Sequence, residues 1–254
     1  MKLAISGKGG VGKTTIAANL IKNFASQGYQ VYAVDADPDT SLGMALGLPE
    51  EQIGSLKPIV DMREVIAERT GGSGAYFSLN PEVDSLLEDY TIKSGNIRFL
   101  KMGAIKPGGS ACYCRENTVL NAIINSLILK HQEMVILDMS AGIEHLTRGT
   151  ARGVNLMLIV TEPTLVSVQT ALVVRKLASD IGVEKIKFVG NKLRHPKDEE
   201  FILSHLPPDD VIGLIPFQTK ILDQAAGFVE DQSFTAEGIA DLAVRLLNEA
   251  LSTH

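Results

Sequence analysis

Apolar runs about as long as a β-strand alternate along this chain with segments of helical periodicity. Seven such runs occur, at 2–6, 30–35, 97–102, 134–138, 156–161, 187–190 and 211–215. They are rich in Val, Ile and Leu and nearly continuous, which is typical of strands buried on both faces. Strands that alternate with helices favour a parallel sheet. The pattern therefore predicts an α/β fold with a mostly parallel central sheet flanked by helices on both faces.

Helical periodicity is clearest directly after the first run. One apolar stripe, spaced as a single helix face, contains Ile16, Ala17, Leu20, Ile21 and Phe24. Further helices are predicted at 118–130, 166–179 and 237–252. The polar face of the last one carries three acidic residues and a single basic one, Arg245. Because a membrane-binding helix needs a basic polar face, we expect this helix to pack against the core.

Length and composition fit one globular domain over residues 1–254. The formal net charge is −6, with no tryptophan and no basic run, which argues against nucleic acid as a partner. Apolar runs of roughly ten residues or fewer are too short to cross a bilayer. Residues 1–6 lead straight into a glycine-rich loop and leave no room for a cleaved signal peptide. We expect a cytoplasmic protein that binds neither nucleic acid nor membrane.

The glycine-rich loop, GKGGVGKT at residues 7–14, lies between the first predicted strand and the first predicted helix. It fits the pattern G-x-x-x-x-G-K-T, in which backbone N–H groups and a helix N-terminus hold phosphate oxygens. The lysine of such a loop contacts the β- and γ-phosphates, and the threonine hydroxyl ligates Mg²⁺. We predict that ATP or ADP with Mg²⁺ is bound by Gly7, Gly9, Gly10, Val11, Gly12, Lys13, Thr14 and Thr15.

A second lysine, Lys8, follows the first glycine of the loop. With it, the segment GKGGVGKTT resembles the deviant Walker A family. That family includes the nitrogenase iron protein, the MinD and ParA ATPases, the Mrp-type iron–sulfur scaffold ATPases and the carbon monoxide dehydrogenase accessory ATPases. The resemblance implies a P-loop ATPase that works as a homodimer with nucleotide between its subunits. It also implies that Lys8 reaches the partner's phosphates and acts with Lys13 in catalysis; the alternative is a solvated loop lysine.

Three aspartates, Asp35, Asp37 and Asp39, follow the second predicted strand in VDADPDT at 34–40. They lie at the carboxyl end of that strand, where open α/β sheets bind their ligands. The family resemblance implies that Asp37, which precedes a proline, belongs to switch I and orients the attacking water. It makes Asp39 a candidate neighbour of the nucleotide. For Asp35 and Asp39, turn formation and helix capping are the alternative.

The apolar strand at 134–138 ends in an acidic residue, Asp138. This is the form of a Walker B strand, so we predict that Asp138 is catalytic and holds Mg²⁺ together with Thr14. The following SAG resembles switch II of the family, which implies that Gly142 senses the γ-phosphate. Nearby, His145 fits a surface histidine better than a base or metal ligand.

Two later segments resemble the base-binding positions of the family. FVGNKL at 188–193 closes a strand, and the resemblance implies that Asn191 reads the adenine edge. GLIPF at 213–217 resembles the second segment beside the base, so Pro216 and Phe217 are candidates to line it.

The chain has two cysteines, Cys112 and Cys114, in the glycine-containing segment 106–118. A reducing cytoplasm argues against a structural disulfide. Two thiolates are half of a four-coordinate set, and a two-fold dimer would bring four together. The spacing therefore predicts Ni²⁺ or Zn²⁺ shared across the dimer, although thiolates also suit an iron–sulfur cluster. The alternative is a pair of inert buried thiols. The Cys-x-Cys loop resembles that of the carbon monoxide dehydrogenase accessory branch of the family.

Together, these features predict a metal-binding, Mg-ATP-dependent switch ATPase. The resemblance implies a client metalloenzyme, carbon monoxide dehydrogenase, and a role in its nickel insertion. Two alternatives stay open: an iron–sulfur cluster carrier or reductase, and a MinD/ParA-like positioning ATPase. The colour of a bound cluster would identify the first, and co-sedimentation with DNA or liposomes would identify the second.

Overall fold

The computed structural model of the protein describes residues 1–37, 41–59, 90–102, 132–139, 154–225 and 236–251. The helix predicted at 118–130 lies outside these ranges. So do five of the residues singled out from the sequence, namely Asp39, Cys112, Cys114, Gly142 and His145.

A single sheet runs through the described part of the chain. Its strands are β1 (Lys2–Gly7), β2 (Gln30–Ala36), β3 (Ile92–Ser94), β4 (Ile97–Lys101), β5 (Glu133–Met139), β6 (Leu156–Thr161), β7 (Ile186–Leu193) and β8 (Val211–Pro216). Their order is β3-β4-β2-β5-β1-β6-β7-β8. Every neighbouring pair is parallel except β3 and β4. All seven predicted strands are confirmed; β3 was not predicted.

Helices cover both faces of this sheet, as the sequence predicted. They are α1 (Lys13–Ser26), α2 (Leu42–Leu46), α3 (Glu50–Ser55), α4 (Leu165–Asp180), α5 (Pro196–His205), α6 (Thr219–Ala225) and α7 (Ile239–Leu251). Buried side chains of α1, α2, α3 and α7 form one core with the sheet, and those of α4 and α5 contribute to the other. Within the described ranges, no helix is both long and apolar enough to span a bilayer.

The central strand β1 positions the glycine-rich loop. It pairs with β5 on one side and β6 on the other, so that Leu3 lies beside Ile136 and Leu156. Leu3 and Ile5 pack on the α1 side of the sheet, whereas Ala4 packs on the opposite side. Because β1 is flanked on both sides, the loop that follows it emerges at the middle of the sheet's carboxyl edge.

Two carboxylates are buried in adjacent strands near that edge. Asp35 in β2 and Asp138 in β5 are register partners, and both are 0% exposed. Burial raises the pKa of Asp35 to about 7, and the negative charge of Asp138 adds to the rise. Burial also raises the pKa of Asp138 to about 6, although Thr14 and the charge of Lys13 oppose the change. The fold therefore holds two carboxyl groups that keep their protons more tightly than exposed ones.

We expect the protein without nucleotide or Mg²⁺ to lose stability as the pH rises from about 4 to about 7. Both folded-state pKa values exceed the ordinary value of 3.8, so the folded chain holds protons that the unfolded chain has released. The free energy of unfolding should fall by up to about 1.4 kcal/mol per pH unit for each such proton. Asp35→Asn should flatten this slope in urea unfolding measured at a series of pH values.

Asp198→Asn provides the control for that experiment. The backbone N–H of Arg194 lowers the pKa of Asp198, so this carboxyl group titrates below the tested window. Its substitution should change stability without changing the slope. If Asp35→Asn kept the full slope of the unsubstituted protein, the raised pKa of Asp35 would be wrong.

Candidate functional site

The glycine-rich loop joins β1 to α1, and two of its glycines are required by close packing. Gly7 faces Val160 of β6 so closely that a Cβ atom there would collide with the Val160 carbonyl oxygen. Gly12 has a φ of 95°, and a Cβ atom there would collide with the side-chain amide of Asn191. Because only glycine combines this backbone freedom with the absence of a side chain, the first and last glycines of the motif fix the path of the loop.

The loop ends at the N-terminus of α1, which is suited to bind an anion. Gly12 precedes the helix and has no side chain to cap it, and the N–H of Ile16 donates to the Gly12 carbonyl at 3.0 Å. The N–H groups before Ile16 have no intrahelical acceptor, and the helix dipole places partial positive charge there. Phosphate oxygens are the natural ligands of such a helix start.

Lys13 is the first residue of α1 and lies within the loop. Its side chain is buried, and its ammonium group donates to the Lys8 carbonyl at 3.3 Å. Burial lowers the pKa of Lys13, while the negative charges of Asp138 and Asp37 oppose that change. The structure thus brings together Lys13, Asp37 and Asp138, three of the residues predicted to be catalytic.

Asp138 has the features of a cation ligand. Neither of its buried carboxylate oxygens has a hydrogen-bond partner among the described residues. The Thr14 hydroxyl faces this carboxylate and moderates the rise in its pKa, but the two do not form a hydrogen bond of ordinary geometry. Oxygen donors of this kind suit Mg²⁺. Asp138 and Thr14 therefore fit the predicted role of holding Mg²⁺, and Ser41, whose hydroxyl lies 3.4 Å from that of Thr14, extends the polar cluster.

Asp35 has a different environment from Asp138. Its two carboxylate oxygens accept the backbone N–H of Leu42 at 3.0 Å and the backbone N–H of Asp37 at 3.3 Å. Leu42 is the first residue of α2. Of the two interpretations that the sequence left open for Asp35, the structure favours the turn and helix-start role. Through its bond to Asp37, Asp35 also fixes the start of the predicted switch I segment.

The residues predicted to line the base lie at the same edge of the sheet. Asn191, near the end of β7, is buried and donates its side-chain N–H to the Val11 carbonyl at 2.8 Å. Pro216 pairs with Leu193, and the N–H of Phe217 donates to the Leu193 carbonyl at 2.7 Å. Phe217 is 43% exposed. The structure brings these three residues to the nucleotide side, while their contacts with adenine stay predictions.

Two residues make contacts at this edge that were not foreseen from the sequence. The ammonium group of Lys192 donates to the Gly10 carbonyl at 2.6 Å and lies 3.7 Å from the Glu162 carboxylate. The Ser41 hydroxyl approaches Thr14 from the start of α2. Lys192 directly follows Asn191, the residue predicted to contact adenine, and Ser41 directly follows the aspartate motif at 34–40. These positions next to motifs were the only indications in the sequence that either residue belongs to the site.

Comparison with known proteins agrees with this geometry. A family model described as the CobQ/CobB/MinD/ParA nucleotide binding domain matches residues 2–227. The carbon monoxide dehydrogenase accessory protein CooC of Rhodospirillum rubrum is 42% identical over 230 residues, which cover 89% of this chain and 88% of CooC. An uncharacterised ATP-binding protein of Methanocaldococcus jannaschii is also 42% identical, over 229 residues and 87% of each chain.

Solved structures with the same fold include two MinD proteins. MinD of Aquifex aeolicus has a TM-score of 0.66 at 24% identity, with 100% of this chain and 99% of MinD covered. MinD of Pyrococcus horikoshii, in complex with Mg-ADP, has a TM-score of 0.66 at 22% identity, with 96% and 95% covered. The family model spans most of the chain and the ATP-binding relatives match it nearly end to end. This chain therefore belongs to the CobQ/CobB/MinD/ParA nucleotide-binding family and is an ATPase.

Proposed function

We propose that this ATPase works as a nucleotide-driven homodimer that binds a metal ion between its subunits and serves nickel insertion into carbon monoxide dehydrogenase. The observation that carries the proposal is the 42% identity with CooC over 89% of the chain. The Cys-x-Cys pair of Cys112 and Cys114 supports it from the sequence. MinD-type relatives are less similar, as in the 31% identity with MinD of Thermotoga maritima, so the accessory role is favoured over a positioning role.

In the proposed reaction, the loop at 7–14 and Lys13 hold the phosphates. Asp138 and Thr14 would hold Mg²⁺, which when bound neutralises charge on the phosphate oxygens. Asp37 orients the water whose oxygen attacks the γ-phosphorus while the bond from that phosphorus to ADP breaks. The mutual electrostatic effects of Lys13, Asp37 and Asp138 support a single reaction centre.

Lys8 is proposed to act across the dimer. It is half-buried, and the next two residues, Gly9 and Gly10, are exposed at the tip of the loop. The Lys8 carbonyl accepts a hydrogen bond from the Lys13 ammonium, so the Lys13 side chain helps to hold the Lys8 backbone within the loop. A second subunit docking on this exposed tip would receive the Lys8 ammonium at its phosphates. There, a cation stabilises the charge of the transferring phosphoryl group.

Alanine substitutions of Lys13 and Lys8 should therefore have different effects. Lys13→Ala removes a charge-assisted contact within the same subunit, so ATP affinity should fall about tenfold or more. Lys8→Ala should keep monomer ATP affinity but lose ATP-driven dimerisation and lower kcat by on the order of a thousandfold, as for other cationic fingers. ATP affinity is measured by titration calorimetry, dimerisation by size-exclusion chromatography, and kcat by a phosphate-release assay. Wild-type turnover by Lys8→Ala would contradict the role across the dimer.

Asp37→Asn should trap the ATP-bound dimer. Asparagine keeps the size of the side chain but loses the carboxylate that orients water, so ATP should persist between closed subunits. Size-exclusion chromatography with saturating Mg-ATP should give a dimer that outlasts that of the unsubstituted protein. A variant that stays monomeric under these conditions would contradict the proposed role of Asp37.

The metal site is proposed to be formed by thiolates from both subunits. Within the ranges that the structure describes, no group of three or more His, Cys, Asp or Glu side chains is arranged to hold a metal ion. The chain's only cysteines are Cys112 and Cys114, which lie outside those ranges. Soft thiolates suit Ni²⁺ and Zn²⁺, and two chains supply the four ligands that such ions take.

We expect one Ni²⁺ or Zn²⁺ ion per two chains. Cys112→Ala or Cys114→Ala alone should abolish tight binding, because each removes two ligands of four from a dimer. Both variants should keep Mg-ATP affinity, which serves as their internal control. Because thiols must lose protons to bind, metal affinity should fall below neutral pH. Equilibrium titration with each metal, with and without ATP, gives stoichiometry and affinity.

Three results would contradict the proposal of a Ni²⁺ or Zn²⁺ site shared by two chains. One ion per monomer would place the ligands within a single chain. Tight binding by the double alanine variant would exclude the cysteines. Strong visible absorbance of anaerobically purified protein would indicate an iron–sulfur cluster and favour the carrier function instead. None of these results would affect the ATPase assignment, which rests on the family.

A further inference from the structure

Strand β7 is irregular where it passes the phosphate loop. Lys192 has a φ of 60°. Among the described non-glycine residues, only Lys192 and Gln132 have a positive φ. The register between β7 and β8 shifts between Gly190 and Leu193. Bulges of this kind re-aim side chains, and a left-handed conformation is strained for a residue with a Cβ atom. Such strain persists only where surrounding contacts maintain it.

The irregularity aims two consecutive side chains at two consecutive carbonyls of the loop. Asn191 donates to the Val11 carbonyl at 2.8 Å, and Lys192 donates to the Gly10 carbonyl at 2.6 Å. The C=O and N–H of a trans peptide point in opposite directions. Holding these carbonyls toward β7 therefore turns the N–H groups of Val11 and Gly12 away from β7. Phosphate oxygens need N–H groups that are oriented in advance in this way.

Glu162 holds the Lys192 ammonium from the neighbouring strand. Its carboxylate lies 3.7 Å from that ammonium, and Glu162 directly follows the last residue of β6. The Glu162 backbone is fixed in turn, because its N–H donates to the Ser167 hydroxyl at 3.1 Å and its carbonyl accepts the Thr164 N–H at 2.7 Å. Thr164 and Ser167 belong to the start of α4. The ammonium is thus tied both to the loop and to a rigid helix start.

We propose that Lys192, supported by Glu162, is a positioning residue for the phosphates of ATP. It acts through the Gly10 peptide, whose orientation it fixes, and makes no contact with the nucleotide in this role. The function of the lysine is then to keep the loop in its phosphate-binding form before the ligand arrives. The strain at Lys192 is tolerated because the left-handed backbone is what brings the ammonium to the loop.

Tripolyphosphate has the phosphate chain of ATP but no base or ribose. Its binding therefore distinguishes an effect on the phosphate loop from a contact with the base. Lys192→Met should lower the affinities for Mg-ADP and for Mg-tripolyphosphate by the same factor of about ten, the value of one charge-assisted hydrogen bond. Glu162→Gln should lower both by about threefold, because an exposed ion pair contributes little. Lys192→Arg keeps a charged donor and should restore part of the loss. Titration calorimetry of the full chain measures all four proteins.

Lys185→Met is the matched control. Lys185 also donates its ammonium to a backbone carbonyl, that of Glu249 at 2.7 Å, but it precedes β7 at the opposite end of the sheet. The same substitution therefore removes a similar hydrogen bond far from the loop. Both affinities should equal those of the unsubstituted protein.

Lys192→Gly distinguishes loop positioning from general stability. It loses the same contacts as Lys192→Met, but glycine adopts a positive φ without strain. Its urea midpoint should therefore exceed that of Lys192→Met while its two affinities remain equally low. If the ligand affinities of Lys192→Gly recovered together with its urea midpoint, Lys192 would stabilise the fold without positioning the loop.

Two further outcomes would overturn the proposal. Loss of ADP affinity with unchanged tripolyphosphate affinity would mean that Lys192 contacts the base or ribose. Unchanged affinity for both ligands in Lys192→Met would mean that the hydrogen bond to Gly10 has no role in binding. Circular dichroism of each variant at the titration temperature verifies that the affinities belong to folded protein.

Discussion

A carboxylate buried without hydrogen-bond partners must be neutralised, and the nucleotide site is organised around one. Asp138 lies inside the sheet with both oxygens unpaired among the described residues. Water cannot compensate its charge there, so only a proton or a nearby cation can. In the free protein the compensation is partial, through a raised pKa and the charge of Lys13. A bound divalent cation would complete the neutralisation of Asp138. Cation binding would thereby remove an unfavourable electrostatic energy that the folded protein otherwise carries.

The neighbouring strand shows how the same residue type takes a second role. Asp35 lies beside Asp138 in register, yet two backbone N–H groups satisfy its carboxylate. Those bonds fix the backbone at Asp37, directly after β2, and at Leu42, the first residue of α2. One aspartate thus organises the backbone, while the other is left open for a cation. The difference arises because Asp37 and Leu42, the residues that donate to Asp35, both place their backbone N–H groups at its carboxylate.

Much of the fold followed from the sequence because buried parallel strands require continuous apolar runs. The edge strand β3 escaped prediction since it has three residues, two of them exposed, and so carries no periodicity. The phosphate loop was predictable because its chemistry restricts residue types at fixed spacing. The contact between Lys192 and the Gly10 carbonyl was not predictable, because it depends on a left-handed backbone conformation at Lys192. A lysine in a sequence does not indicate that conformation. The Thr14–Ser41 contact joins residues whose proximity only the folded chain creates.

The position of β1 in the middle of the sheet has a consequence for how the protein is made. The phosphate loop leaves the ribosome early, but Lys2 pairs with Val135 and Leu3 with Leu156, which are synthesised much later. Asn19 of α1 accepts the N–H of Ala236, 217 residues further along the chain. Such long-range closure delays folding until distant segments meet. ATP therefore meets a complete phosphate site only after the segments that contain Val135, Leu156 and Ala236 have been synthesised.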